Sequence, residues 1–187
     1  MWPHIENNFD RLAPMAVRAM PFMNSQYARK LEPLVRSYKE RTDEFYRKNP
    51  YGVPITTGGW AGNGFVVAVA NASYLMHKAF PDIVGPELTL RGLAYLYGCH
   101  PGSSISFVSG VGSKSNEAAY GNNRADFSFT AGGVVPGVLI VEPDFPENKE
   151  DWPFMWGENE YVIGLAANYL YLVHAANDLL NEKAMKE

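Results

Sequence analysis

The sequence is poor in the residues from which several kinds of function are built. Cys99 is the one cysteine in 187 residues, so no internal disulfide and no cysteine zinc cluster can form. Sixteen Lys and Arg stand against twenty Asp and Glu, a formal charge of -4. The basic residues are scattered and make no stripe that would neutralise phosphates, so nucleic acid is not expected as a partner. The longest apolar stretch, Tyr161 to Ala176, is interrupted by Asn168 and His174. It falls short of the ~20 residues that cross a bilayer, and no membrane partner is expected. The opening "MWPHIENNFDRL" has neither a basic n-region nor an apolar h-region and does not read as a secretory signal. EF-hand spacing is also missing. Asp126, Asp144, Glu147 and Asp151 offer oxygens without that pattern, and the residues imply no metal site and no cofactor.

What is present is enough apolar material, 47% of the residues, for a sizeable core. Its periodicity is helical. Residues 8 to 22 predict a short or broken helix, because Pro14 and Pro21 interrupt the pattern. From Ser25 to Lys48, Tyr27, Leu31, Leu34, Val35, Tyr38 and Phe45 recur near helical spacing with charges on the other face. Pro33 predicts a kink or a delayed start there. "KNPYGVPITTGGWAGNG", Lys48 to Gly64, reads as a loop, and Phe65 to Phe80, small and apolar on most sides, reads as a buried helix ended by Pro81. Pro86 opens "PELTLRGLAYLYG", with Gly98 as a C-cap. A last helix is expected from about Glu160 to Asn181, and the fold class is all-α.

Between the last two helices lies a long segment, His100 to Gly157, where Gly, Ser, Asn and Pro recur and no helical period survives. Connections of this length are usually functional or disordered. The aromatic and apolar content of this one predicts an ordered, site-forming loop with a short strand in "GVVPGVLIV", Gly133 to Val141.

Three polar clusters flank the loop, each with a structural and a functional reading. His100 can be a dipole partner at a helix end or a ligand contact. Arg124 and Asp126, in "YGNNRADFS", can be a loop salt bridge or a binding group. Glu158 and Glu160 can be first-turn acids beside an Asn159 N-cap. Their setting suggests more, since they lie between Trp152, Trp156 and an almost wholly apolar helix. A carboxyl group so placed is desolvated, which favours its neutral, proton-carrying form. Aromatic faces beside a proton donor suit sugar rings, whose CH faces are apolar and whose leaving oxygens need a proton.

Four segments, in order, resemble glycoside hydrolase family 9, the largely endoglucanase group built on a six-hairpin α/α barrel. "YGVPITTGGWAGNG" looks like the stretch before an inner helix, with Trp60 and Asn63 in a Trp-Gly-Ser-Asn-like place. "LRGLAYLYGCHPGSSISFVSGVGSKS" is similar to a helix ending in Leu-Gly-Arg-Asn-Pro that runs into Ser-Phe-Val-Thr-Gly-x-Gly. "VVPGVLIVEPD" is similar to Val/Ile-Pro-Gly-Leu-Leu-Val-Gly-Gly-Pro, and "NEYVIG" to the Asn-Glu-Val-Ala-Ile signature that carries the general acid.

The resemblance covers roughly Tyr51 to Leu180 and implies an α/α toroid and an inverting glycosidase of β-linked glucan or a related plant polysaccharide. By resemblance Glu160 protonates the departing oxygen, Arg124, His100 and Trp60 contact sugar, and Trp156 or Trp152 forms part of a sugar platform. Tyr120, Asn122 and Asn123 stand where the family has histidines, and Cys99-His100-Pro101 where it has Arg-Asn-Pro. Some members carry structural calcium. The Asp-containing base motif has no counterpart, so residues 1–187 are expected to be a C-terminal portion of the barrel. Self-association or a missing N-terminal half is then a partner alongside an oligo- or polysaccharide. A non-catalytic carbohydrate-binding or structural half-domain is the alternative. A third class, a polysaccharide lyase on a similar scaffold, would use Tyr120, Arg124 and His100 on a uronate.

Overall fold

The computed structural model describes residues 2–54, 59–60, 62–101, 103–116, 129–139 and 160–185. Its first helices are short. α1 (Trp2–Asn7) is followed by α2 (Phe9–Arg18), and a 3-10 turn spans Met20–Phe22. Pro14 lies inside α2 without interrupting it, whereas Pro21 falls in the turn that follows, so the helix is short as expected but is not broken at Pro14. Phe9, Leu12, Ala13, Ala16 and Val17 form the buried stripe of α2, at the i, i+3, i+4, i+7 spacing of one helix face.

α3 (Ser25–Arg47) starts where Asn24 caps it, its Oδ1 accepting the Tyr27 N–H at 3.3 Å. Pro33 sits inside this helix, so the start is not delayed. Leu31, Val35, Tyr38, Thr42 and Tyr46 face inward. Outside, i,i+4 ion pairs join Glu32 to Arg36, Lys39 to Asp43 and Glu44 to Lys48. Such exposed pairs add only a few tenths of a kcal/mol each.

α4 (Gly62–Ala79) is the central element, buried on most of its circumference and packed on α2, on α5 (Glu87–Leu96) and on α6 (Ile163–Ala184). Small residues make this possible. Gly92 of α5 rides on Ala70, where an added Cβ would come within 2.7 Å of the Ala70 Cβ, and Thr89 Oγ1 donates to the Ala70 carbonyl at 3.0 Å. α6 is joined to α4 by Asn71 Nδ2 donating to Asn168 O (3.0 Å), Tyr74 OH donating to Asp178 (2.9 Å) and Lys78 bridging Asp178 and Glu182. Leu31, Val35, Met76, Leu88, Leu96 and Leu172 are fully buried between these helices. The outer side of α6 keeps Ile163, Leu170 and Leu180 exposed.

The chain is thus all-α, with two short ladders in its loops. β1 (Gly59–Trp60) pairs antiparallel with β4 (Val138–Leu139), and β2 (Ile105–Ser106) pairs parallel with β3 (Lys114–Ser115). β4 is the strand expected in "GVVPGVLIV". Two helix starts differ from the sequence reading: α4 begins at Gly62 instead of Phe65, and α6 at Ile163 instead of Glu160. Among the described residues no helix is long and apolar enough to cross a membrane.

Candidate functional site

The loop is held from the end of α5 onward. Gly98, at φ +87°, donates its N–H to Tyr95 O (3.1 Å), and Cys99 donates to Ala94 O (3.0 Å). This pair of bonds is a Schellman closure, and a left-handed residue is what it requires. A side chain at 98 would also meet the Ser104 carbonyl at 2.7 Å. The chain therefore turns back on itself, and Phe107 N donates to Leu96 O at 2.9 Å. Residues 107–109 then run beside 132–135: Val135 N donates to Phe107 O (3.0 Å), Ser109 N to Gly133 O (2.9 Å) and Gly132 N to Ser109 O (2.8 Å).

The same 135–137 stretch receives the N-terminus of α4. A helix leaves its first N–H groups without intrahelical acceptors. Here Gly62 N donates to Gly137 O (3.1 Å) and Asn63 N to Pro136 O (2.8 Å). The Asn63 side chain, fully buried, donates from Nδ2 to Val135 O at 2.8 Å. These bonds extend α4 backward by three residues relative to the apolar period. They also align β1 with β4, so that Trp60 is opposite Val138.

Tyr161 brings the last segment to the cluster. Its hydroxyl lies 2.8 Å from Ser109 Oγ and 3.3 Å from the Thr130 N–H. Its ring lies on Gly133, where a Cβ would be 2.5 Å from Cε1. All four segments that carry the family resemblance thus meet in one interlocked cluster.

Glu160 is half-buried beside that anchor. The N-cap of α6 is Val162, and its first turn holds no acidic residue. Glu160 therefore precedes the helix and is not its N-cap, which corrects the reading of it as a first-turn acid. His100 is 9% exposed and packs among Tyr51, Tyr95 and Phe107. Its Nε2 donates to Tyr95 O at 2.7 Å, because a carbonyl can only accept. Nδ1 then carries a lone pair and has no partner among the described residues. Burial lowers the His100 pKa to about 4, against a smaller opposing effect of the Tyr95 carbonyl.

Trp60 is described as β1 backbone. Arg124, Trp156, Trp152, Tyr120, Glu158 and Asn159 lie outside the described residues, as do the oxygens considered for calcium, Asp126, Asp144, Glu147 and Asp151. Among the described residues no group of three His, Cys, Asp or Glu is placed to hold a metal ion. Sequence reasoning missed Tyr161, Ser109 and Gly133 as structural partners. The one available signal was a tyrosine in an otherwise aliphatic position next to the acid. A cavity of about 500 Å³ between α2, α3 and α4, lined by Pro14, Phe45, Phe65 and Val69, includes neither Glu160 nor His100.

Helices packed around α4 and joined by a Gly- and Pro-rich cluster that caps α4 and precedes α6 fit a portion of an α/α toroid. Solved structures with this fold bear that out. The chain is similar to a GH family 9 endoglucanase, J30, solved as a zinc-binding triple mutant: TM-score 0.65, 20% identity, 82% of this chain and 32% of that one. It is also similar to the cellulase Cel9M of C. cellulolyticium, solved in complex with cellobiose: TM-score 0.64, 17% identity, 90% of this chain and 39% of that one. At such identities the likeness establishes the fold. The chain spans between about a third and two-fifths of the length of these enzymes. No protein-family profile and no curated protein matches it.

Proposed function

We propose that the chain is the acid-bearing portion of an inverting glycoside hydrolase that acts on β-linked glucan or a related plant polysaccharide. The observation that carries this reading is the meeting of the four resembling segments around Tyr161, with Glu160 next to it and outside any helix. Among the described residues the half-buried Glu160 carboxyl neither caps α6 nor pairs with a cation, and the proton donor's role is assigned to it by the resemblance. In this mechanism Glu160 delivers a proton to the glycosidic oxygen as the bond to the anomeric carbon lengthens. A second carboxylate, about 6.5–9.5 Å away, deprotonates the water that attacks the opposite face. The resemblance finds no such base in this chain, so the reaction takes it from outside. Arg124, Trp60 and Trp156 are assigned to sugar contacts. Cellobiose in one similar structure suggests the class of ligand.

His100 joins this reading as packing and not through a proton, since it remains neutral at the pH of most hydrolyses. The alternative is a carbohydrate-binding or structural portion without turnover. One assay separates the two: reducing-sugar release by the chain from β-glucans, xylan and polyuronates, with Glu160→Gln beside it. Release that disappears in the variant supports the hydrolase. An unsaturated, ultraviolet-absorbing product from polyuronate would replace it with a lyase.

A further inference from the structure

We infer that Tyr161 is the positioning residue for Glu160, acting through a hydrogen-bond chain of fixed direction that ties the acid to the 109–133 loop; this rests on the hydrolase reading of Glu160. The direction follows from counting protons. Ser109 Oγ lies 2.7 Å from the Asn116 carbonyl, which can only accept, so the single Ser109 hydroxyl proton is committed there. Tyr161 must then be the donor in its 2.8 Å contact with Ser109 Oγ. Its oxygen, having given its proton inward, accepts the Thr130 N–H at 3.3 Å. The order is Thr130 N–H to Tyr161, Tyr161 to Ser109, Ser109 to Asn116 O, and no link can be reversed.

The ring is fixed as well as the hydroxyl. Gly133 leaves no Cβ, and a methyl there would stand 2.8 Å from Cδ1 and 2.5 Å from Cε1. The Gly133 carbonyl is itself engaged by Ser109 N and its N–H by Thr130 O. Tyr161 is therefore gripped between two backbone segments that hydrogen-bond to each other. Glu160 is one peptide away, and Val162, extended at φ −113° and ψ 120°, starts α6 on the other side. With Tyr161 held by its hydroxyl, its ring and the helix that follows it, the peptide that joins Glu160 to it is held too. Proton transfer in the transition state depends on such placement at sub-ångström tolerance.

The test is an NMR relaxation experiment on the full chain, comparing Tyr161→Phe and Ser109→Ala with Tyr97→Phe, which removes a hydroxyl from the Tyr97–Tyr169 pair instead. Tyr161→Phe keeps the ring on Gly133 and removes the chain of protons. The expected result is a fall in the backbone order parameter of Glu160 from about 0.85 to below about 0.6. Glu160 χ1 couplings should also change from one rotamer to an average, and Tyr97→Phe should change neither. If either Tyr161→Phe or Ser109→Ala speeds exchange of the Thr130 amide while Glu160 keeps its order and rotamer, Tyr161 holds the loop alone and the inference is overturned. Should Tyr161→Phe fail to fold, Ser109→Ala decides on the same criteria. Failure of the hydrolase reading would show elsewhere, as sugar release that Glu160→Gln leaves unchanged.

Discussion

Asn63 occupies the space that a side chain at residue 137 would need: a Cβ built on Gly137 would lie 2.6 Å from the Asn63 amide. Gly137 also sits at φ +73°, so two separate costs attend any substitution there. Gly132 shares the backbone cost, at φ +78°, but has open space around its Cβ position among the described residues. Gly137→Ala should therefore destabilise the chain by about 2–3 kcal/mol and Gly132→Ala by about 1 kcal/mol. Thermal unfolding of the two variants checks this, with the Gly137 variant expected to melt some degrees below the other. Equal losses would mean that Asn63 moves aside freely.

His100 makes stability depend on pH in a defined window. Its folded pKa, about 4, lies below the ordinary 6.5, so between these values the unfolded chain binds a proton that the native chain refuses. Stability is fully present above about 6.5 and declines as pH falls toward 4, by on the order of 3 kcal/mol in all at ~1.4 kcal/mol per pH unit. Asp178, held below its usual range by hydrogen bonds from Lys78 and Tyr74, loses its contribution only at lower pH, below its ordinary 3.8. Urea unfolding at pH 7 and pH 4.5 should show the loss in the parent chain and a much smaller one in His100→Phe. A parallel decline in both would place the titrating group elsewhere.

Gly92 and Ala70 set how closely α5 approaches α4. A methyl at 92 would improve helix propensity by up to ~1 kcal/mol. It would also force apart two backbones whose Cβ atoms would stand 2.7 Å from each other. Gly92→Ala is expected to lose about 1–3 kcal/mol net, and Ala70→Gly introduced with it should recover part of that. Additive losses in the double variant would argue against direct contact as the cause.

Glu160→Gln should leave the melting temperature within about 2 °C of the parent, since Glu160 precedes α6 and has no ion-pair partner among the described residues. The same variant should abolish any sugar release. A large stability loss with activity retained would turn the reading around and make Glu160 a structural residue.

The helices were legible because their apolar periods are long. Their starts were less so, for reasons that lie far away in the sequence. α4 starts early because Pro136 and Gly137 accept its first N–H groups, and α6 starts late because Ser109, Thr130 and Gly133 hold Tyr161 out of the helix. A two-residue strand such as Gly59–Trp60, set among prolines and glycines, has no pattern of its own, and only β4 gives it one. Pro33 does not delay the start of α3, which begins at Ser25; the rest of the helix buries enough apolar surface to carry one missing hydrogen bond. Glu160 was singled out through a resembled motif, whereas the hydrogen bonds of its neighbour Tyr161 were hidden in an aromatic side chain that periodicity counts as core.

The capping of α4 has a kinetic side. Its first turn draws on carbonyls that follow it by 72 residues, as in the bond from Asn63 to Val135. Closing a loop of that length costs on the order of 4 kcal/mol of chain entropy before any bond repays it. The C-terminal part of α4 can form early on α5, whereas Gly62, Asn63 and the strand before them must wait for the loop to arrive. In a refolding experiment these amides should be the last of the helix to gain protection from exchange, so the end of α4 that meets the loop would be assembled after the body that supports it.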